Sequence, residues 1–171
     1  MKCCEASDVL AAAGRWFLGG VFVLMGVTKA LAPVEFLKVI RQYNVFESHL
    51  LMNFVAAALP WFEVCCGVLL IVGVAVRGTA LLLIGMLVPF TILIWQRALD
   101  IQEAKVLAFC AIKFDCGCGA GEVPVCRKLG ENAGLMALSI WLLFWPAHRW
   151  CLRLRLGRKQ PPAEVPVLAA Q

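Results

Sequence analysis

Long apolar runs constrain this chain more than anything else in it. They lie at about residues 9–31, 50–74, 79–96 and 133–150. Each approaches the roughly 20 apolar residues that a helix needs to cross a hydrocarbon core about 30 Å thick. Inside lipid every backbone N–H and C=O must be bonded within its own segment, which leaves the helix as the solution for runs of this length. Composition agrees, with 62% of the 171 residues hydrophobic and only 16% charged, where a soluble domain has about half and a quarter. The expectation is an all-α integral membrane protein. It is a four-transmembrane-helix bundle in one domain over about residues 1–160, followed by a disordered tail over 161–171 rich in proline and alanine.

The net charge of +5 does not signal nucleic acid. The basic residues flank apolar runs, as they do beside membrane spans, instead of forming a patch interleaved with aromatics. The first run carries Arg15 near its start and Lys29 near its end. It is longer than a signal-peptide core, and Pro33 follows the small residues around Ala30, so it is expected to be retained. From Pro33 to His49, Phe36, Leu37, Ile40 and Tyr43 recur at helical spacing with Glu35, Lys38 and Arg41 between them. That is the pattern of an amphipathic helix lying at the membrane interface in the first outer loop. The second span holds Pro60 and Glu63 near its middle, and a tight turn around Arg77-Gly78 leads into the third. Residues 97–132 turn polar, apart from an apolar stretch, 106–114, too short to cross. Trp141, Trp145 and Trp150 form an aromatic belt on the fourth span.

Arg149, Arg153, Arg155, Arg158 and Lys159 follow that span without an acidic residue among them. By the positive-inside rule this tail is cytoplasmic. Four spans then make both termini cytoplasmic and turn the connections at 33–49 and 97–132 outward. In the bacterial inner membrane that exposes them to the periplasm, where disulfides persist.

The chain has nine cysteines. Cys3, Cys4, Cys65, Cys66, Cys110 and Cys151 lie in or near apolar stretches and read as small hydrophobic residues. Cys116, Cys118 and Cys126 share the outward polar segment. In Cys116-Gly117-Cys118 the glycine permits the bend that a disulfide between residues two apart requires. So short a ring is strained, and strained disulfides are the oxidising, exchangeable ones. Cys126 is either a resolving thiol or the partner of a structural bridge such as Cys118–Cys126. A metal site is the remaining reading of the cluster, with His49 as a fourth ligand, although the spacing departs from that of structural zinc sites.

Glu63 is the other chemical signal, because an ionisable residue inside the membrane costs several kcal/mol unless paired. Arg15 enters from the same side and is expected to reach it. The pair either locks two helices together or handles protons beside a quinone, for which Trp61, Glu63 and Trp95 outline a pocket. No other cofactor is implied. Gly19, Gly20, Gly26, Gly67 and Gly73 allow close approach of the first two spans.

Arg15, Gly19, Phe22, Gly26 and Lys29, then Phe36, Ile40 and Tyr43, then Leu59 to Glu63 with Gly67, Leu70 and Gly73, and finally Asp115-Cys116-Gly117-Cys118-Gly119 follow one another in a fixed order. Taken together they resemble the DoxX-like superfamily, specifically its MauE branch of methylamine-utilisation membrane proteins, over about residues 10–145. The aromatic that commonly follows the Cys-Gly-Cys turn in that branch is missing here, where Cys118 is followed by Gly119, Ala120 and Gly121. The resemblance implies a four-helix inner-membrane protein linked to periplasmic disulfide formation, with quinone-linked relatives. The leading expectation is therefore a membrane thiol–disulfide redox protein. Its Cys116 and Cys118 exchange with a periplasmic thioredoxin-like partner or a cysteine-rich client. The alternatives are a non-catalytic anchor or assembly subunit of a periplasmic or respiratory enzyme, and a metal or small-solute carrier.

Overall fold

The computed structural model describes residues 2–43, 48–105, 108–115 and 122–145. Among them are five α-helices: α1 (Lys2–Leu31), α2 (Pro33–Gln42), α3 (His49–Val72), α4 (Val76–Lys105) and α5 (Val125–Phe144). Between α4 and α5 lie a 3-10 turn at Phe109–Ala111 and two short strands, β1 (Lys113–Asp115) and β2 (Glu122–Pro124).

Three stretches, Asp8–Leu31, His49–Val72 and Val76–Ala104, are long and apolar enough to cross a membrane. The two shorter ones have 24 residues each, about 36 Å at 1.5 Å per residue, which exceeds the ~30 Å hydrocarbon core. The chain is a membrane protein. Leu24, Phe54, Trp61 and Leu81 stand more than half exposed on these helices, in positions suited to lipid. The fourth run begins differently from expectation. α5 starts at Val125, and its first two turns carry Arg127, Lys128 and Glu131, too many charges to join the other three. Residues 146–150 of the expected span lie outside the described residues.

Hydropathy misled in two further places. The polar stretch after residue 96 is not a loop, since α4 runs on to Lys105. The segment Arg97–Lys105 is polar, yet it is made largely of strong helix formers with no glycine or proline. The turn between α3 and α4 is not at Arg77-Gly78 either. Gly73 caps α3 at φ +82, its N–H bonded to the carbonyls of Leu69 and Leu70, and the Val74 N–H also bonds Leu69. Only glycine takes that left-handed cap without strain, so the chain reverses at 73–75, and Gly78 is helical.

The long helices alternate in direction. α1 and α3 are antiparallel, with Gly19 against Gly67 and Gly26 against the Pro60 carbonyl. Arg77 at the start of α4 donates to the Trp145 carbonyl at the end of α5 (3.5 Å), so those two are antiparallel as well. α1 with α3 and α4 with α5 form two close pairs, and α2 folds back against α1 and α3. The main core of Leu18, Phe22, Cys66, Leu70, Leu83 and Leu142 joins the pairs towards the Gly73 end. Cys66 is thus a packing residue, while Cys65 is exposed. The side chains of Cys3 and Cys4 lie outside what is described, as does Cys151.

At the other end, β1 and β2 pair antiparallel, Lys113 with Pro124 and Asp115 with Glu122. The described part of the apolar stretch at 106–114, residues 108–114, therefore becomes a 3-10 turn and part of a strand. A second small core of Ala98, Ile112 and Val125, with Phe109 and Leu129 against it, fixes this hairpin to α4 and α5. The Val125 N–H donates to the Ile112 carbonyl (3.0 Å) and begins α5 there.

Candidate functional site

Lys29 and Glu63 meet between α1 and α3. Lys29 Nζ donates to Glu63 Oε1 at 2.5 Å, and both side chains are nearly sealed from solvent. The expected Arg15–Glu63 pair is thereby corrected, and helix geometry gives the reason. In the register set by Gly19 on Gly67 and Gly26 on Pro60, Glu63 lies level with residue 23 and Arg15 with residue 71. Arg15 is about 12 Å away along the axis. Helical side chains also lean towards their own N-terminus, which carries Arg15 further off and brings Lys29 back towards Glu63. Arg15 is buried and packs instead on the Gly73 turn, where a Cβ at Gly73 would lie 2.9 Å from its Nη1.

The ammonium of Lys29 also sits 5.4 Å from the ring centre of Phe36 and 5.8 Å from that of Phe90. α2 and α4 thus complete its surroundings with cation–π contacts. Glu63 Oε2 is buried and has no hydrogen-bond partner among the described residues.

α5 brings two more polar groups inward. Its buried face runs Val125, Lys128, Asn132, Leu135, Ser139 and Leu142, an unbroken 3-4-3-4-3 stripe. Asn132 Nδ2 donates to Thr91 Oγ1 (3.2 Å), and Thr91 donates in turn to the Leu87 carbonyl (2.7 Å). Lys128 is 1% exposed, with its Nζ 3.6 Å from Glu131 Oε2, longer than a hydrogen bond. Sequence reading missed Lys128 and Asn132 because polarity marked them as loop residues. The signal was the helical period, which carries the stripe straight through them.

Lys29, Glu63, Lys128 and Asn132 border a cavity of about 200 Å³ between the two helix pairs. Apart from Tyr43 its other walls are apolar and include Phe22, Phe36, Leu59 and Phe90. Trp61 and Trp95, expected to frame such a pocket, do not line it and are half or more exposed on the outer face. Pro60 and Pro89 interrupt the hydrogen-bond ladders of α3 and α4 beside this space, a location where freed carbonyls are tolerated within a membrane.

The sulfur chemistry lies at the hairpin end. Cys126, in the first turn of α5, is disulfide-bonded to Cys110 in the 3-10 turn, with a Cα–Cα distance of 5.1 Å. Cys110 is therefore not simply a packing residue, and a Cys118–Cys126 bridge does not form. The paired strands bring 110 and 126 together, whereas hydropathy had assigned Cys110 to an apolar stretch. Cys116 and Cys118 lie outside the described residues. The strands that flank them, ending at Asp115 and Glu122, are within the loop that this disulfide closes. His49 is exposed at the start of α3.

A family model described as methylamine utilisation protein MauE matches residues 7–145. No curated protein and no solved structure matches the chain.

Proposed function

Since the chain belongs to the MauE family, we propose that it serves methylamine utilisation as a membrane-embedded thiol–disulfide redox protein. In this reading the run at about 133–150, whose described part belongs to α5, is a fourth span. The four helices form one domain with both termini cytoplasmic, and α2 lies at the outer interface of the bacterial inner membrane. The hairpin then faces the periplasm.

The Cys110–Cys126 disulfide carries the proposal. Disulfides persist in oxidising compartments and are rare where thiols are kept reduced. This one closes the base of the loop that contains Cys116 and Cys118. A client dithiol attacks the Cys116–Cys118 disulfide through a mixed disulfide and leaves as a disulfide, with two thiols remaining on this chain. Two electrons and two protons are transferred in that exchange. Restoring the Cys116–Cys118 disulfide takes a two-electron, two-proton acceptor, for which a membrane quinone is suited. The partner is a periplasmic thioredoxin-like protein or a cysteine-rich client of the methylamine pathway.

The test is capture of a mixed disulfide from cells carrying Cys116→Ser or Cys118→Ser. One of the two variants should hold a partner covalently, and reductant should release it. If neither does so, while both remain in the membrane, the chain acts as an anchor or assembly subunit. The same disulfide, acting purely as a staple for the hairpin, favours that second reading.

A further inference from the structure

The cavity between the helix pairs has an unbalanced lining. Two ammoniums, Lys29 and Lys128, face one carboxylate, Glu63. A pair that only locked α1 to α3 would need Lys29 and Glu63 alone, and it would satisfy both carboxylate oxygens. Instead Glu63 Oε2, on a residue 4% exposed, is without a hydrogen-bond partner among the described residues. Lys128 is buried on the same cavity, and its ion pair with the Glu131 carboxylate, at 3.6 Å, is longer than a hydrogen bond. That carboxylate is 43% exposed and already takes Arg127 Nε at 2.9 Å. Buried groups of this kind are expensive in a membrane protein and mark ligand or proton sites.

A ligand that answers them offers a hydrogen to Glu63 Oε2 and an oxygen to Lys128, and is otherwise apolar. About 200 Å³ admits one substituted six-membered ring. Three of the wall residues, Phe22, Phe36 and Phe90, are aromatic, which favours a planar aromatic over an acyl chain. The geometry points to a binding site for the head of a membrane-soluble phenol of the quinol class. One ring hydroxyl donates to Glu63 and an oxygen accepts from Lys128. This rests on the quinone part of the function proposed above and is independent of its thiol exchange.

The test is equilibrium binding of a decyl-substituted benzoquinol, under anaerobic conditions, to the full chain in phosphatidylcholine nanodiscs. Its oxidised form, decanol and decanoate serve as comparison ligands. Saturable 1:1 binding of the quinol is expected, weaker for the oxidised form, which has no hydrogen to give Glu63. Lys128→Met and the charge-neutral, cavity-narrowing Val55→Phe should each weaken it at least tenfold. Trp61→Ala should leave it unchanged. The Cys116→Ser/Cys118→Ser chain should still bind, so failure of the thiol proposal alone is recognisable. Uptake no greater than by empty nanodiscs overturns the inference. So does binding as tight for decanol (a general lipid hydroxyl site) or tighter for decanoate (an anion site). These ligand comparisons decide the matter on the unsubstituted chain even if both variants fail to fold.

Discussion

The α1–α3 interface and the space between that pair and α4–α5 follow opposite packing rules. In the first, backbones touch: a Cβ built on Gly67 would lie 2.6 Å from the Gly19 carbonyl oxygen, and one on Gly26 equally close to that of Pro60. In the second, a void of about 200 Å³ is left beside three charged groups. Lipid tails are as apolar as leucine, so helices within a membrane associate through close packing rather than by escaping water. The closely fitted pair supplies that packing and fixes the register that sets Lys29 on Glu63. Having been fixed there, it can present the carboxylate to a neighbouring space that stays open. The difference indicates a division between a rigid half that positions groups and a looser seam that can admit something.

The hardest way to break this arrangement is to unpair the buried ions. Lys29→Met takes from Glu63 its hydrogen-bonded ion-pair partner and should destabilise the protein by about 3–5 kcal/mol. The double variant Lys29→Met/Glu63→Gln should recover a large part of that, as read by denaturant titration in detergent. Next in size is the staple at the hairpin. Cys110→Ser opens a loop with a sequence separation of 16, and chain-entropy arguments assign such a closure about 3 kcal/mol. The loss should appear as protease sensitivity within 110–126, with the long helices still protected.

Gly67→Val should cost about 1–3 kcal/mol by forcing backbones apart. The same change at Gly85, whose Cβ would meet nothing within 4 Å, should stay within about 0.5 kcal/mol. Equal effects at the two glycines would erase the contrast between close-packed pair and open surface. A smaller effect than at Gly67 is expected inside the α4–α5 pair. Asn132→Leu removes its bond to Thr91, and hydrogen bonds between membrane helices average about 0.6 kcal/mol. A loss several times larger would mean that the α4–α5 pair is as rigidly held as the α1–α3 pair.

Much of the helical framework was legible before any tertiary information. The runs at 9–31 and 50–74 became α1 and α3 nearly as drawn, because hydropathy and backbone satisfaction in lipid are local matters. The amphipathic spacing of Phe36 and Ile40 likewise became α2. Hydropathy failed where polarity and helicity part company, at Arg97–Lys105 and at the start of α5. It read both as loop, although their residues favour helix and, in α5, continue a buried stripe. Of the candidate site, Glu63 and Lys29 were legible as polar residues in apolar runs, and Cys126 as a thiol in a polar segment. Their partners were not.

What the sequence determined by itself is the class of molecule. Its apolar runs demand helices in a membrane, its glycines allow close contact, and the order of its motifs is that of the MauE family. The tertiary structure alone decided who meets whom: Lys29 rather than Arg15 on Glu63, Cys110 rather than Cys118 on Cys126, Lys128 and Asn132 turned inward. Such choices depend on the register between separate segments and on the direction in which side chains leave a helix. Neither quantity exists until the segments have been packed against one another.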